Sequence, residues 1–279
     1  MCHLLVTPNV QAMSAAVCRI ELFCGEVSLG HGTAFFDEAI NGRRYLFTNW
    51  HCVTGRSPTT GRPQSKDGVT PDSIVIYLHR FLGQDGIDFL HPIPHRLPIE
   101  YRSGTKWLMH PNGQKIDIVA HELDLSVIEP TPLGAYISRL QTSHNAIVQV
   151  GAEVFILGFP RGLTPTGSLP IWKKGSIASE PAHFADGEPC FWVDSATREG
   201  MSGSPVFVRR LNNNSFDNVT IESEARLVAS EHLAFCGIYS GRIGVNDLLE
   251  AQIGKVWNPA CMSQIVNYGV ALDYEEFKA

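Results

Sequence analysis

Short apolar runs separated by polar turns extend along most of the 279-residue chain. The runs are rich in β-branched and aromatic residues, and several alternate apolar with polar positions, which is typical of strands with one buried face. Examples are AVCRIELF (16–23), RYLFTNW (44–50), SIVIYL (73–78), EVFILGF (153–159) and SPVFVRR (204–210). This pattern predicts an all-β barrel or sandwich. Helical spacing is weak until VNDLLEAQIG (245–254) and ACMSQIVNYG (260–269), each of which is predicted to form a short helix, the second at the C-terminus.

Two polar stretches divide these runs. The stretch 54–73 is predicted to be a surface loop, and the stretch 130–146 is predicted to be a linker between two sets of strands of roughly equal length. We therefore expect an N-terminal extension over residues 1–13, a first β-domain over 14–135 and a second over 136–279. A chain of this length is long enough for one large core or two smaller ones.

Composition excludes several classes of protein. Hydrophobic residues make up 44% and charged residues 18%, as in ordinary globular proteins, and the net charge of -6 gives no general attraction to nucleic acid or anionic membranes. No apolar run approaches the roughly 20 residues that cross a bilayer. The N-terminus lacks the basic start of a secretory signal, so we expect a cytoplasmic protein, or else a mature or excised form. The seven cysteines contain no CxxC pair, which favours free thiols over disulfides or a zinc ribbon.

A histidine and two aspartates are placed where a proton-transfer site needs them. His51 follows the strand-like run RYLFTNW, and its ordinary pKa near neutrality suits a general base. Asp117 begins the apolar run DIVAHEL, and Asp124 has a similar setting in ELDLSVIE. A carboxylate that enters a core usually has a partner, because burying it unpaired is costly. Either aspartate is therefore a candidate to orient the histidine ring.

A glycine-rich turn between two apolar runs supplies a candidate nucleophile. Ser202 lies in REGMSGSP (198–205), flanked by Gly200 and Gly203, which tolerate backbone angles that other residues resist. Such a turn exposes a serine, and the N–H groups of Gly200 and Ser202 would point at a developing oxyanion. The chain order is histidine, aspartate, serine, and the turn leads into another strand.

Six segments in the same order resemble one family. They are GHGTAFF (30–36), FTNWHCV (47–53), MHPNGQKIDIVAHEL (109–123), VFILGFPRG (154–162), VDSATREGMSGSPVF (193–207) and CGIYSGRIG (236–244). Together they resemble the trypsin-like, chymotrypsin-fold serine peptidases, most closely the bacterial trypsin-like domains and more distantly the HtrA-type proteases. The resemblance covers roughly residues 14 to 272. It implies two six-stranded antiparallel Greek-key β-barrels packed together, with a short C-terminal helix.

The resemblance also implies roles for individual residues. His51 is then the base, Asp117 the orienting acid and Ser202 the nucleophile, with the N–H groups of Gly200 and Ser202 as the oxyanion hole. The preceding dipeptide His110-Pro111 favours Asp117 over Asp124 as the acid.

The resemblance places the substrate pocket less securely. Its floor is expected near Ala196 and its wall at Ser240, Gly241 and Arg242, with the Ser240 hydroxyl also supporting the acid. Because no acidic residue stands at the floor, a preference for Lys or Arg is not expected. His183 and His232 are either pocket residues for acidic substrates or ordinary surface histidines.

Two positions depart from the pattern of the animal digestive enzymes. Met201 stands where those enzymes carry the aspartate that pairs with a freed N-terminus, so activation of that kind is not expected. Cys52 follows the histidine, but the strand before it offers no cysteine partner, so Cys52 is expected to be a small buried filler.

The expected function is a serine endopeptidase that acts on proteins or peptides. No metal or organic cofactor is required, no nucleic-acid or membrane partner is expected, and a regulator of unknown identity is allowed for. A catalytically inactive peptide-binding or scaffold module on the same fold is the alternative, since fold alone does not establish activity. An esterase that uses the same residues is a third possibility.

Overall fold

A computed structural model describes residues 10–65, 67–84, 87–100, 104–124, 136–140, 148–165, 168–183, 185–209, 218–220, 227–230, 233–243 and 252–272. None of the helices in these ranges is long and apolar enough to cross a bilayer.

Strands dominate the described ranges. They are β1 Val10–Gln11, β2 Val17–Cys24, β3 Val27–Glu38, β4 Arg44–Thr48, β5 Ser73–Gln84, β6 Ile87–Pro98, β7 Trp107–Met109, β8 Val119–Glu122, β9 Glu153–Gly158, β10 Ile171–Ile177, β11 Cys190–Asp194, β12 Pro205–Arg209, β13 Asn218–Thr220, β14 Leu227–Ser230, β15 Leu233–Arg242, β16 Ile253–Trp257 and β17 Val270–Ala271. The helices are α1 Ala12–Ala15, α2 Trp50–Thr54, α3 Ile137–Leu140 and α4 Ala260–Tyr268, with short 3₁₀ turns at Gly113–Lys115, Pro160–Gly162 and Ala185–Gly187.

The strands confirm the all-β prediction. Six antiparallel strands close into a barrel in the order β10-β11-β16-β15-β12-β9. A second sheet has the order β17-β7-β8-β4-β3-β2-β5-β6, and β1, β14 and β13 form a small third sheet. The second sheet has eight strands where six were expected, because β6 and β17 are added at its two edges. The architecture is that of a double-barrel chymotrypsin fold.

Alternation along the strands builds three apolar cores. In β3, Ala34 and Phe36 point into the eight-stranded sheet's own core, whereas Phe35 points into a cluster shared with the barrel. In β12, Val206 points into the barrel interior and Phe207 into the shared cluster. Since side chains of a strand alternate between its faces, the two sheets pack face to face through every second residue.

The C-terminal helix forms where it was predicted, whereas most of the other predicted helix, 245–254, lies outside the described residues and its last two residues belong to β16. Helix α4 buries Cys261, Met262 and Ile265 against the body, and the Gly269 N–H donates to the Ile265 carbonyl at its end. The chain then returns to the eight-stranded sheet, where Val270 pairs with Met109.

Some predictions fall on parts of the chain with little or no description. Only Val10 onward of the predicted extension 1–13 is described, and there α1 is buried beside β14. Most of the predicted linker 130–146 lies outside the described residues, and α3 is the part that is described. The domain boundaries therefore stay predictions.

Candidate active site

His51 and Asp117 lie side by side between the two sheets. Strand β4 ends at Thr48, and His51 follows on the short helix α2 rather than at the strand end itself. Its Nδ1 lies 2.7 Å from Asp117 Oδ2, and its backbone N–H donates to Asp117 Oδ1 at 2.9 Å. The Asn49 side chain donates to the Asp117 carbonyl at 2.7 Å, which ties the two segments together.

Asp117 is a buried carboxylate with several donors. Only 1% of the residue is exposed. Besides the two contacts with His51, it accepts a short hydrogen bond from the Ser240 hydroxyl at the end of β15. A buried carboxylate is costly unless hydrogen-bonded, so these donors account for its position. The Nδ1 contact leaves His51 Nε2 as the ring nitrogen that is available for proton transfer.

The second candidate acid lies elsewhere. Asp124 is 43% exposed in its side chain, and its Oδ2 lies 3.2 Å from Lys106 Nζ. The structure therefore brings Asp117, and not Asp124, to His51.

The charge of Asp117 controls the protonation of His51. Burial lowers the pKa of His51, but the Asp117 carboxylate and, to a smaller extent, the neighbouring Cys52 side chain raise it. The net effect holds the pKa of His51 well above its ordinary value. A histidine placed in this way accepts a proton readily and is stabilised once charged.

The turn that carries Ser202 is shaped by two glycines with positive φ. Gly200 has φ 88° and Gly203 has φ 85°, a region that L side chains rarely adopt. A Cβ on Gly200 would lie 2.3 Å from the Phe159 carbonyl oxygen, and one on Gly203 would lie 2.0 Å from the Thr33 carbonyl oxygen. These positions require glycine for lack of space as well as for conformation.

The N–H groups near Ser202 on this turn differ in whether they have a backbone acceptor among the described residues. Gly203 donates to the Tyr239 carbonyl at 2.9 Å and Met201 donates to the Arg198 carbonyl at 3.2 Å. In the described part of the chain, the N–H groups of Gly200 and Ser202 have no such partner. Backbone donors left free beside a serine are able to bind a developing negative charge.

Thr33 fastens this turn to the eight-stranded sheet, a role that sequence reasoning missed. Its hydroxyl donates to the Gly200 carbonyl at 2.7 Å and accepts the Phe159 N–H at 3.1 Å. Its backbone N–H donates to the Ser202 carbonyl at 2.9 Å. The one signal in the sequence is a hydroxyl within the apolar run TAFF.

An open cleft of about 430 Å³ adjoins these groups. His51, Cys52, Gly200 and Ser202 line it together with Glu199, and the other lining residues come from β2, β3 and the predicted surface loop. His31 on β3 also lines it, and sequence reasoning did not single it out. Burial lowers the pKa of His31, the positive charge of Arg19 acts in the same direction, and nearby carboxylates oppose both.

The predicted pocket residues are not among those that line this cleft. Ala196 is exposed, whereas its neighbour Thr197 is buried with its hydroxyl against that of Tyr239. Gly241, at the end of β15, is close enough that a Cβ placed on it would be 3.7 Å from Ser202 Oγ. The adjacent Arg242 is partly exposed.

The sequence also singles out His183, His232 and Cys52. His183 is exposed, and His232 lies outside the described residues. Cys52 is buried, with its Sγ 3.9 Å from the Ser202 carbonyl oxygen. Cys18, Cys24, Cys52, Cys236 and Cys261 are free thiols. Among the side chains that the structure describes, no group of three or more His, Cys, Asp or Glu is arranged to hold a metal ion.

Comparison with known proteins identifies a family. The family described as trypsin-like peptidase domain matches residues 32–212. A serine endoprotease from Yersinia pestis is structurally similar with a TM-score of 0.50 and 14% identity, covering 94% of this chain and 66% of that one. The active form of the Rv3671c protease from M. tuberculosis has a TM-score of 0.48 and 14% identity, covering 95% and 85%. A search of curated proteins finds no match. At this identity the structural likeness shows the fold alone.

Proposed function

We propose that the chain, which belongs to the family of trypsin-like peptidase domains, is a serine endopeptidase that cleaves peptide bonds through an acyl-enzyme. One observation carries the proposal: His51, held by Asp117 at 2.7 Å, lines the same cleft as Ser202. Folding stability alone does not explain the buried pair of His51 and Asp117, since apolar side chains of similar volume are often as stabilising as a buried ion pair.

The chemistry follows from the positions of the groups. Ser202 Oγ attacks the carbonyl carbon while His51 Nε2 takes its proton. The Asp117 carboxylate holds the ring by Nδ1 and stabilises its charged form. The N–H groups of Gly200 and Ser202 bind the oxyanion. The tetrahedral intermediate then releases the amine, which takes the proton from His51, and water completes the reaction through the same base.

The sequence at the pocket bears on the substrate. The acyl-side residue would contact Ala196, Ser240, Gly241 and Arg242, as the family resemblance implies. Ala196 carries no charge, so no preference for Lys or Arg is expected at this position.

The turn does not depend on an ion pair for its shape. Met201 stands where the animal digestive enzymes carry the activating aspartate, and it is fully buried in the barrel core. An aspartate at this buried position would need a cationic partner, whereas methionine needs none. The packing of Met201 and the hydrogen bonds of Thr33 instead support the turn. We therefore propose that the oxyanion donors are preformed and that control, if any, comes from a separate regulator.

A fluorophosphonate probe tests the proposal. Such probes phosphonylate an activated serine with release of fluoride, so wild-type protein should be labelled at Ser202, and Ser202→Ala should not be labelled. Ser204→Ala is a matched control, because it changes a buried serine of the same turn whose hydroxyl has no hydrogen-bond partner among the described residues. Ser202→Ala should also lower peptide turnover by roughly 10⁴-fold or more.

The same experiment separates the alternatives. A folded wild-type protein that the probe does not label would contradict the enzyme and favour the peptide-binding scaffold. Labelling combined with hydrolysis of esters but of no peptide in a diverse library would favour the esterase.

A further inference from the structure

The cleft beside Ser202 has an apolar wall and a few polar lining residues. Its apolar wall is formed by residues of β2, β3 and the loop before β5, namely Leu22, Leu29, Val69 and Pro71. Leu22 and Pro71 are buried, whereas Leu29 and Val69 are only half-buried. Part of the apolar wall is therefore accessible from the cleft. The polar members of the lining include His31, Gln64, Ser65 and Glu199. The described lining contains no Lys or Arg.

The direction of the proposed reaction decides which half of a substrate enters this cleft. The leaving amine takes its proton from His51 Nε2, because Asp117 holds the other ring nitrogen. His51 and Cys52 form a wall of the cleft, so the amine departs at its mouth. Gly241 approaches Ser202 from β15, and neither it nor the other predicted pocket residues lines the cleft. Ser202 thus lies between the end of β15 and the cleft.

We propose that this cleft binds the residue directly after the scissile bond and selects an apolar side chain there. The proposal rests on the proposed peptidase function and adds a substrate class to it. Burying an apolar side chain against Leu22, Leu29 and Val69 is favourable in proportion to the area removed from water. An acidic side chain would meet Glu199 and no Lys or Arg among the described lining residues, so its desolvation would be poorly compensated.

Acyl transfer measures this preference separately from the rest of the reaction. An ester substrate without a leaving-group residue acylates Ser202, and an added amino-acid amide then competes with water. The amine nitrogen attacks the acyl carbon, the bond from Ser202 Oγ to that carbon breaks, and His51 moves the amine proton to Oγ. The products are a new peptide bond and free enzyme. Transfer and hydrolysis start from the same acyl-enzyme, so the ratio of their products does not depend on how fast that acyl-enzyme is formed.

For wild-type protein, leucinamide should give a transfer ratio about tenfold higher than glycinamide, and aspartic acid α-amide should give a ratio no higher than glycinamide. Val69→Asp should lower the leucinamide ratio about fivefold, since it puts a charge on the apolar wall. Val27→Asp is the matched control, because Val27 is 64% exposed on β3 and does not line the cleft. Its transfer ratios should equal those of wild type.

The outcomes are distinguishable. If the ester is hydrolysed and the three amides transfer equally, the apolar selection is overturned while the proposed acyl-enzyme chemistry stands. If wild type prefers leucinamide but Val69→Asp behaves as Val27→Asp does, the preference arises elsewhere and this assignment of the cleft is overturned. If no ester is hydrolysed, the proposed function fails and the inference fails with it.

Discussion

The backbone N–H of Thr33 donates a hydrogen bond to the carbonyl oxygen of Ser202 across 2.9 Å. Thr33 belongs to the eight-stranded sheet, and Ser202 belongs to the turn that leads into the barrel. The position of the candidate nucleophile is therefore set by a strand 169 residues earlier in the chain, through this bond and through the Thr33 hydroxyl, which is bonded to Gly200 and Phe159.

We expect Thr33→Val to impair turnover by displacing the oxyanion donors. The valine has the same shape but leaves the Gly200 carbonyl and the Phe159 N–H unpaired in a buried place, which costs about 1–3 kcal/mol per group. The rate constant kcat should fall about tenfold or more while KM changes little, because the lost contacts position a group that acts in the transition state. Thr33→Ser, which keeps the hydroxyl, should restore most of kcat. Equal kcat values for the two variants would show that Thr33 does not position the turn.

The two aspartates should respond differently to the same change. Asp117→Asn should lower kcat by roughly 10⁴-fold, because the amide favours the wrong tautomer of His51 and no longer stabilises its charge. Asp124→Asn should leave kcat nearly unchanged, since this residue makes an exposed ion pair with Lys106. Steady-state cleavage of one peptide by both variants checks the assignment. A large loss in Asp124→Asn would reverse it.

The pH dependence of kcat/KM should report the protonation of His51. The base must be neutral, and the Asp117 carboxylate raises the pKa of His51 above its ordinary value. The rate should therefore rise with pH through a pKa above the ordinary range of histidine. In Asp117→Asn the residual activity should rise at a lower pH, because the negative charge that held the proton is gone. The same midpoint in both proteins would argue against this coupling.

A second histidine should make the fold sensitive to acid. His121 on β8 is buried against Trp107, and burial, with smaller contributions from Lys106 and His95, lowers its pKa from 6.5 to about 4. Below pH 6.5 His121 is protonated in the unfolded chain, whereas in the folded protein it stays neutral until the pH falls to about 4. Stability is thus fully present above the unfolded value and is lost as pH falls through this window, by on the order of 3 kcal/mol.

Denaturant unfolding across the same window checks this sign. The loss of stability on acidification should be smaller in His121→Gln than in wild type by most of that amount. His183→Gln, a change at an exposed histidine, should behave as wild type does. An equal loss in all three proteins would assign the acid sensitivity to other groups.

Much of the fold was predictable because the relevant signals are local. Alternation with a period of two placed Ala34 and Phe36 on one face of β3 and Phe35 on the other, whatever lies beyond them. The glycines of REGMSGSP marked a turn of unusual conformation, and both Gly200 and Gly203 have positive φ. The order of His51, Asp117 and Ser202 followed from the residues and, through the family resemblance, indicated a peptidase.

The sequence by itself therefore determined the strand pattern, the special turn and the set of candidate residues, since each depends on neighbours along the chain. The family resemblance favoured Asp117, but only the tertiary structure shows which aspartate meets His51, because Asp117 and Asp124 have similar local settings and differ in what packs over them. It also decided the role of Thr33 and the apolar cleft lined by Leu22 and Val69. These contacts join segments that are distant in sequence, and they exist only once those segments have come together in the folded chain.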